Sequence, residues 1–413
     1  MADPFPQDPL TATVALVLAG GKGSRLSPLT DARAKPAVPV AGQYRLIDVV
    51  MSNLAHSGLR DVWVVEQYRP FTLNQHLAMG RPWDLDGTRH GLRLLPPAEG
   101  RDEEGFASGN GHALHQQIAA VKAFGAHTVA LLSADHLFQI DLRPALAAHH
   151  ERGSELTVIT TQTDEDPSRF GVVQVDADAK VIEYLYKPHH PKGNLVATEA
   201  FLMDVDALAE VLDELMAEAR RKEATAEAAG EDPEHQDGPE GSALGDYGES
   251  IVPALVARGK THEWRHEGYW RDIGTLDAYY KAHMELLAGT GFDLDHPGWP
   301  LLTNHRPVPP ARIHRGATVS GSMVCSGAVV HGEVSESVLG PGVVVEAGAT
   351  VHRSVLLGDT VVPAGAHLDA VIADVGAHVP TGRTGQTKPG PGNITVLTPD
   401  TRAADSDDET TGH

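Results

Sequence analysis

The chain has 413 residues, enough for two or three domains of about 100–200 residues each. Hydrophobic residues make up 41% of it, which supports a sizeable core and excludes disorder throughout. Lys and Arg number 33 against 56 Asp and Glu, and the resulting charge of −23 suits neither nucleic acid nor an anionic membrane, so any phosphate must be held by a local site. Cys325 is the single cysteine, which rules out an intrachain disulfide and a zinc–cysteine cluster. Residues 1–12 are expected to be disordered. The first ten lack the basic and apolar regions of a signal peptide, and no run of about 18 apolar residues occurs, so the expectation is a cytoplasmic protein with no membrane partner.

In chain order, Val14–Leu18 is a short apolar run ending in Gly20-Gly21, the pattern of a buried parallel strand entering a glycine loop. Similar runs follow at Val62–Val65, Thr128–Leu132 and Leu156–Thr160, with helical patterns at Ile47–His56 and Ala113–Phe124. Alternating strands and helices predict an α/β domain over residues 13–297, with a doubly wound, mostly parallel sheet. The Ala/Glu/Arg-rich stretch Ala207–Ala228 reads as a solvated helix, and about 228–243 as a flexible acidic insertion. Over residues 298–383 the texture changes. Val343, Ala349, Val355 and Val361 are six apart, as are Ile313, Val319 and Cys325, with Gly316, Gly342, Gly348 and Gly365 near the corners. A six-residue period of small aliphatics predicts a parallel β-helix, one inward residue per short strand. Cys325 then lies on a rung, as packing and not as a nucleophile. Residues 384–413 lack the period and read as a disordered acidic tail.

The chemistry-bearing motif is Gly20-Gly21-Lys22-Gly23-Ser24-Arg25-Leu26, directly after the first strand. Such a loop can turn backbone N–H groups toward phosphates. It is neither a Walker A loop nor the usual dinucleotide fingerprint, because Leu26 occupies the third glycine's place. Arg25 and Lys35 add two cations, which a polyphosphate needs where charge builds on its oxygens. Asp135 follows the strand Thr128–Leu132. A carboxylate there lies on the crevice side of an open sheet, though a post-strand Asp is as often a turn residue or helix cap.

Leu18 to Leu26, continuing through Arg33-Ala-Lys-Pro-Ala-Val-Pro-Val40, resembles the signature of the sugar-1-phosphate nucleotidyltransferases. Tyr44–Asp48, Ser52–Leu54, Glu66–Tyr68 and Glu267–Tyr280 are similar to the ADP-glucose pyrophosphorylase family in particular, and the resemblance runs from about Val14 to beyond Val361. It implies a nucleotidyltransferase domain followed by a left-handed β-helix. It also implies transfer of the adenylyl group of ATP to glucose 1-phosphate, giving ADP-glucose for α-glucan synthesis, in a homotetramer open to a metabolite effector. By the same resemblance Arg25, Lys35 and Asp135 are catalytic. Gly20, Gly21, Gly23, Gln67 and Gly109 bind the nucleotide. Lys187, Glu199 and Trp270 bind the sugar phosphate, and Asp135 with Asp272 holds Mg2+.

The sugar side departs from the family pattern. The family's Glu-Lys-Pro is Tyr186-Lys187-Pro188, its Ala-Ser-Met-Gly is Val196-Ala197-Thr198-Glu199, and its Asp-Phe-Gly-Lys-Asp is Asp246-Tyr247-Gly248-Glu249-Ser250. On the base side Pro-Ala-Gln-Gln becomes Pro96-Pro97-Ala98-Glu99, and Gly-Thr-Ala-Asp-Ala becomes Gly109-Asn110-Gly111-His112-Ala113. The position that carries an activator-binding lysine in enteric members is Ala32. Two alternatives follow: a related enzyme reading another sugar or base, and a non-catalytic regulatory paralogue.

Overall fold

The computed structural model describes residues 9–20, 23–66, 68–96, 110–229, 244–388 and 390–401. The chain divides into two compact units, Met1–Gly21 with Val49–Trp270, and Lys22–Asp48 with Arg271–His413. The expected boundary at 298 falls within the C-terminal segment of the second unit. Lys22–Asp48 groups with the C-terminal part because side chains from 270 onward hold it there, as set out below.

The first unit is built on strand β1 (Thr13–Ala19), buried along its whole length as the centre of a covered parallel sheet must be. Helix α1 (Leu46–His56) leads to β2 (Asp61–Glu66) and β3 (Gly91–Leu95). Then come α2 (Asn110–Phe124), β4 (Thr128–Ser133), β5 (Leu156–Gln162), β6 (Gly171–Val175), β7 (Val181–Tyr186) and β8 (Leu195–Asp204). Helix α3 (Val205–Ala229) and β9 (Thr261–Arg265) follow. Among the described residues the strands form a nine-stranded sheet, ordered β7-β6-β8-β4-β1-β2-β3, with β5 paired to both β8 and β9. The run β4-β1-β2-β3 is parallel, as the apolar runs suggested. Strand β8 lies antiparallel to β4 and β5, which makes the other half of the sheet mixed.

Helix α2 contributes Leu114, Ile118 and Val121 to the core, and α3 contributes Leu208, Val211 and Leu212. Helical spacing of these residues puts one face of each against the sheet. Helix α3 is thus not simply a solvated helix: its first turns are core. The N-terminal expectation also changes at its end, since the Ala12 carbonyl accepts from the His127 and Thr128 amides and Ala12 is buried. Residues 1–8, the acidic insertion from residue 230 and the tail beyond 401 lie outside the described residues.

In the second unit the chain winds through three all-parallel stacks of short strands, from Arg312–Ile313 to Thr395–Leu397. The inward aliphatics Val330, Val345, Val351, Leu356, Val362 and Leu368 form its core. Successive rungs are not of equal length. Val329 pairs with Val344 and Val344 with Val361, steps of 15 and then 17 residues. A strict period of six therefore drifts off the core. Val343, Ala349 and Val355 are buried, whereas Val361, aligned with Val329 and Val344, is 49% exposed; Ile313 aligns with the inward Val330 and is 56% exposed on the first rung. Gly342 and Gly348 turn two corners at φ of 78° and 81°, where a side chain would be strained. The expected tail is part of the fold to Thr401, because Thr395–Leu397 pairs with Val371–Ala373 and Leu397 is buried.

Helix α4 (Leu276–Ala288) starts at a Thr275 side-chain cap and ends at Gly289 with φ 68°. It ties both segments of this unit together. The Tyr279 hydroxyl donates to the Pro39 carbonyl at 2.5 Å, His283 Nε2 accepts the Ala41 amide at 3.1 Å, and the Tyr280 hydroxyl donates to the Arg353 carbonyl at 2.7 Å. Arg33 meets Asp374 of the β-helix at 2.6 Å.

Candidate active site

In the first unit, β1 and β4 run parallel in register, Leu18 opposite Ser133. Their carboxyl ends therefore put Gly20 and Asp135 on one edge of the sheet, where open α/β sheets bind ligands. The Ala134 amide donates to the Leu18 carbonyl at 3.2 Å and fixes the turn that carries Asp135. The Ser133 hydroxyl donates to the Asp135 carboxylate. His136 is buried, with Nδ1 3.0 Å from the Thr198 carbonyl and Nε2 3.6 Å from Asp135 Oδ1. The carbonyl assigns the proton to Nδ1. Nε2 then faces the Asp135 carboxylate. An oxygen donor at the mouth of a strand fits a hard divalent cation.

Trp270 covers this corner. Its ring lies 5.3 Å from His136 and 5.1 Å from Phe170, and its Nε1 donates to the Thr198 carbonyl at 3.4 Å. Thr198 and the next residue, Glu199, form a bulge in β8. Ala197 faces Thr160 and Ala200 faces Ile159, so the two residues between have no partner on β5. Glu199 takes φ 59°, a left-handed conformation unusual for a side-chain-bearing residue. Its carboxylate accepts from the Tyr247 hydroxyl. Burial pushes the Glu199 carboxyl up to about 7; Asp246 adds to this, and the Tyr247 hydrogen bond, His136 and Lys187 oppose it.

Lys187 completes the group, its Nζ 2.5 Å from the Tyr186 hydroxyl, which itself donates to Asp246 Oδ2 at 2.5 Å. Burial, then Asp246, holds the Tyr186 phenol well above its ordinary range, so it stays neutral. Gly248 is required here, because a Cβ would come 2.4 Å from the Tyr186 ring. Asp135, Lys187, Glu199 and Trp270 thus belong to one connected cluster of the first unit. Sequence reasoning noted Asp246 and Tyr247 only as departures from a pattern. In the fold they are the groups that position Tyr186 and Glu199. Glu66 was likewise passed over: it is buried at the carboxyl end of β2, and burial pushes it up to about 7.

The second unit holds the rest. Gly23 sits at φ 62°, and a Cβ there would lie 3.0 Å from the Thr30 methyl and 3.1 Å from Lys35 Cβ. The Thr30 hydroxyl donates to the Gly23 carbonyl at 3.0 Å. Arg25 rides the 3-10 turn Ser24–Leu26, anchored by buried Leu26, and is itself exposed with no ion-pair partner among the described residues. Lys35 is buried, with Nζ 3.9 Å from Asp272 Oδ1. Gly274 makes room for that carboxylate, since a Cβ there would come 2.7 Å from Asp272 Oδ2. Gly21, Gln67 and Gly109 lie outside the described residues, as do Pro97, Ala98 and Glu99. Cys325 is half-buried, and burial pushes its thiol up to about 11, in keeping with packing.

Among the described residues no helix is long and apolar enough to cross a membrane. The Nucleotidyl transferase family matches residues 14–289, and the family described as GlmU-like, C-terminal hexapeptide, matches residues 309–386, the left-handed β-helix. A glucose-1-phosphate adenylyltransferase of Thermotoga sp. (strain RQ2) is 35% identical over 343 residues, 82% of this chain and 76% of the relative. Those of Clostridioides difficile (strain 630) and Desulfitobacterium hafniense (strain DSM 10664 / DCB-2) are 34% and 32% identical, covering 84% and 93% of this chain and 86% and 93% of their own length. The parallel strand that ends in a glycine loop, the carboxylate at its neighbour's end and the C-terminal hexapeptide coil therefore have one common explanation: the chain belongs to the glucose-1-phosphate adenylyltransferase family of nucleotidyltransferases.

Proposed function

We propose that the protein transfers the adenylyl group of ATP to glucose 1-phosphate, releasing pyrophosphate and giving ADP-glucose for α-glucan synthesis. A phosphate oxygen of the sugar attacks the α-phosphorus in line, and the bond to the β-phosphate oxygen breaks. No covalent enzyme intermediate is needed. The work of the chain is to position two anions and offset their charge. The backbone of Gly20, Gly21 and Gly23 cradles the triphosphate, with Gln67 and Gly109 on the nucleoside side. Arg25 and Lys35 stabilise the pyrophosphate as it leaves. Lys187 anchors the sugar phosphate beside Trp270 and Glu199.

Asp135 of the first unit and Asp272 of the second are the proposed ligands of a magnesium ion. When bound, such an ion neutralises phosphate charge and fixes the reacting oxygens. Homotetrameric assembly, control by a metabolite anion and a cytoplasmic setting belong to the same proposal. The observation that carries the reading is the cluster Asp135–His136–Trp270–Glu199–Lys187 at the carboxyl edge of a parallel sheet, in a chain of this family.

One observation favours a second reading within the same chemistry. Tyr186 and Ala197 stand where the family pattern has Glu and Ser, and neither replaces those contacts in kind: another sugar 1-phosphate is the alternative substrate. The test is pyrophosphate release with magnesium across ATP, GTP, UTP and dTTP and several sugar 1-phosphates, with Asp135→Asn as control. Turnover confined to ATP with glucose 1-phosphate and lost in the control is the expected result. Turnover with another pair replaces the substrate, and none from folded protein overturns the activity.

A further inference from the structure

Glu199 stands in the left-handed region, at a position where the family pattern has glycine. A residue with a Cβ is strained there, and such strain persists only where the surroundings enforce it. Here they do. The β8 bulge sets the backbone, and the Tyr247 hydroxyl holds one carboxylate oxygen. Position 247 has Phe in the family pattern, so the hydroxyl that holds Glu199 is also particular to this chain. The other oxygen, Oε1, has no hydrogen-bond partner among the described residues, yet it is not among the fully enclosed unpartnered atoms. The charged groups around it are His136, Asp246 and Lys187. Meanwhile position 186, glutamate in the pattern, is a tyrosine whose hydroxyl is spent on Asp246 and Lys187.

The three departures make sense as one exchange. A carboxylate lost at 186 is regained at 199, with the Tyr247 hydroxyl as its support. Resting on the activity proposed above, we infer that Glu199, held by Tyr247, is the specificity-determining residue that accepts hydrogen bonds from hydroxyls of the sugar ring, while Lys187 anchors the phosphate of the same sugar 1-phosphate. A buried acceptor that demands a hydroxyl rejects an analogue lacking it far more strongly than an apolar wall rejects an extra group.

The experiment compares wild type with Glu199→Gly, Glu199→Gln and Tyr247→Phe. The readouts are kcat/KM for glucose 1-phosphate and its monodeoxy analogues, KM for ATP, and Tm. Loss of a hydrogen bond to a charged acceptor corresponds to about a 10- to 100-fold fall in kcat/KM for the sugar phosphate. That fall is expected in Glu199→Gly, with KM for ATP changed less than about twofold and Tm equal to or above wild type, because glycine relieves the left-handed strain. Glu199→Gln is expected to recover part of the loss, and Tyr247→Phe to show a smaller one. Wild type is expected to discriminate against at least one deoxy analogue, and Glu199→Gly to accept that analogue and the parent sugar alike. Unchanged sugar kinetics in Glu199→Gly, from an active wild type, overturns the inference alone. So does a lowered Tm with both KM values rising together, which marks a structural role. A wild type inactive on every pair overturns the proposed activity and this inference with it.

Discussion

Lys35 and Asp272 are both largely enclosed, and their charged atoms lie 3.9 Å apart. Truncating Lys35 removes a charge from the proposed leaving-group site and one ion pair of Asp272. Lys35→Ala is therefore expected to lower kcat by about 100- to 1,000-fold, the usual scale for losing one preorganised stabiliser. Steady-state pyrophosphate release checks this. Lys35→Arg is expected to restore only part of the rate, because a planar fork does not occupy the place of a compact ammonium.

Two buried titrating groups set opposite pH limits on stability. Burial raises Glu66 to about 7, so its favourable contribution is complete below the unfolded value near 4.5 and is lost as pH rises through 7. Glu66→Gln is expected to raise Tm at pH 8 and to change it little at pH 4.5. Burial lowers His283 to about 4. Its neutral ring donates from Nδ1 to the Tyr279 carbonyl and accepts the Ala41 amide at Nε2, a pattern the imidazolium cannot keep. The unfolded chain takes up that proton first, so stability falls from about pH 6.5 toward pH 4, by up to about 3 kcal/mol at roughly 1.4 kcal/mol per unit. Thermal unfolding across pH 4–8 reads both limits.

At the scale of elements, a column of serines stitches the β-helix corners together. The Ser337 amide donates to Ser322 Oγ, the Ser354 amide to Ser337 Oγ and the Val371 amide to Ser354 Oγ, each near 3 Å. Ser354 is fully buried. Ser354→Ala leaves the Val371 amide without a partner and is expected to cost about 1–3 kcal/mol, read as a lower midpoint in denaturant unfolding. Nothing in the spacing of the serines announced this column, because the aliphatic period drew the eye to the faces and not the corners. The rungs themselves were legible as a repeat. Their lengths were not, and so Val361 was assigned inward when rungs of 15 and 17 residues put Val362 there instead; Ile313 does stand in the inward column, with Val330, but on the first rung, where it is exposed. The parallel strands were easier. Val14–Leu18 and Thr128–Leu132 are apolar throughout because both faces are covered, and no alternation blurs the signal. Lys187, Glu199 and Tyr247 come from three separated segments, and what joins them is a bulge that no local pattern encodes.

For the whole molecule, the charge of −23 means that its phosphate sites work against the mean field of the chain. Under the proposed function, capture of the substrates falls to Arg25, Lys35 and Lys187 at close range, with a general repulsion of anions beyond. Added salt screens that repulsion, with a Debye length of about 8 Å at physiological strength. KM for ATP is expected to fall or hold steady as NaCl rises from about 20 to 150 mM, the reverse of a long-range basic binder. The division of the chain also bears on how the sequence could be read. A boundary at 298 follows the change in composition, whereas Arg33, Ala41 and Pro39 find their partners at Asp374, His283 and Tyr279. Contacts of that span leave no trace in a local window.

The same long reach orders events in time. The residues Lys22–Asp48 leave the ribosome early, but the groups that receive them come last: Asp374 follows Arg33 by 341 positions. A growing chain can complete its first sheet while the cationic loop still waits for helix α4 and the coil. Contacts this distant are slow to close and leave the early segment open to wrong partners meanwhile. One consequence is a built-in delay. Arg33 finds Asp374, and the loop that carries it is fully tied down, only after the coil that bears Asp374 has been made.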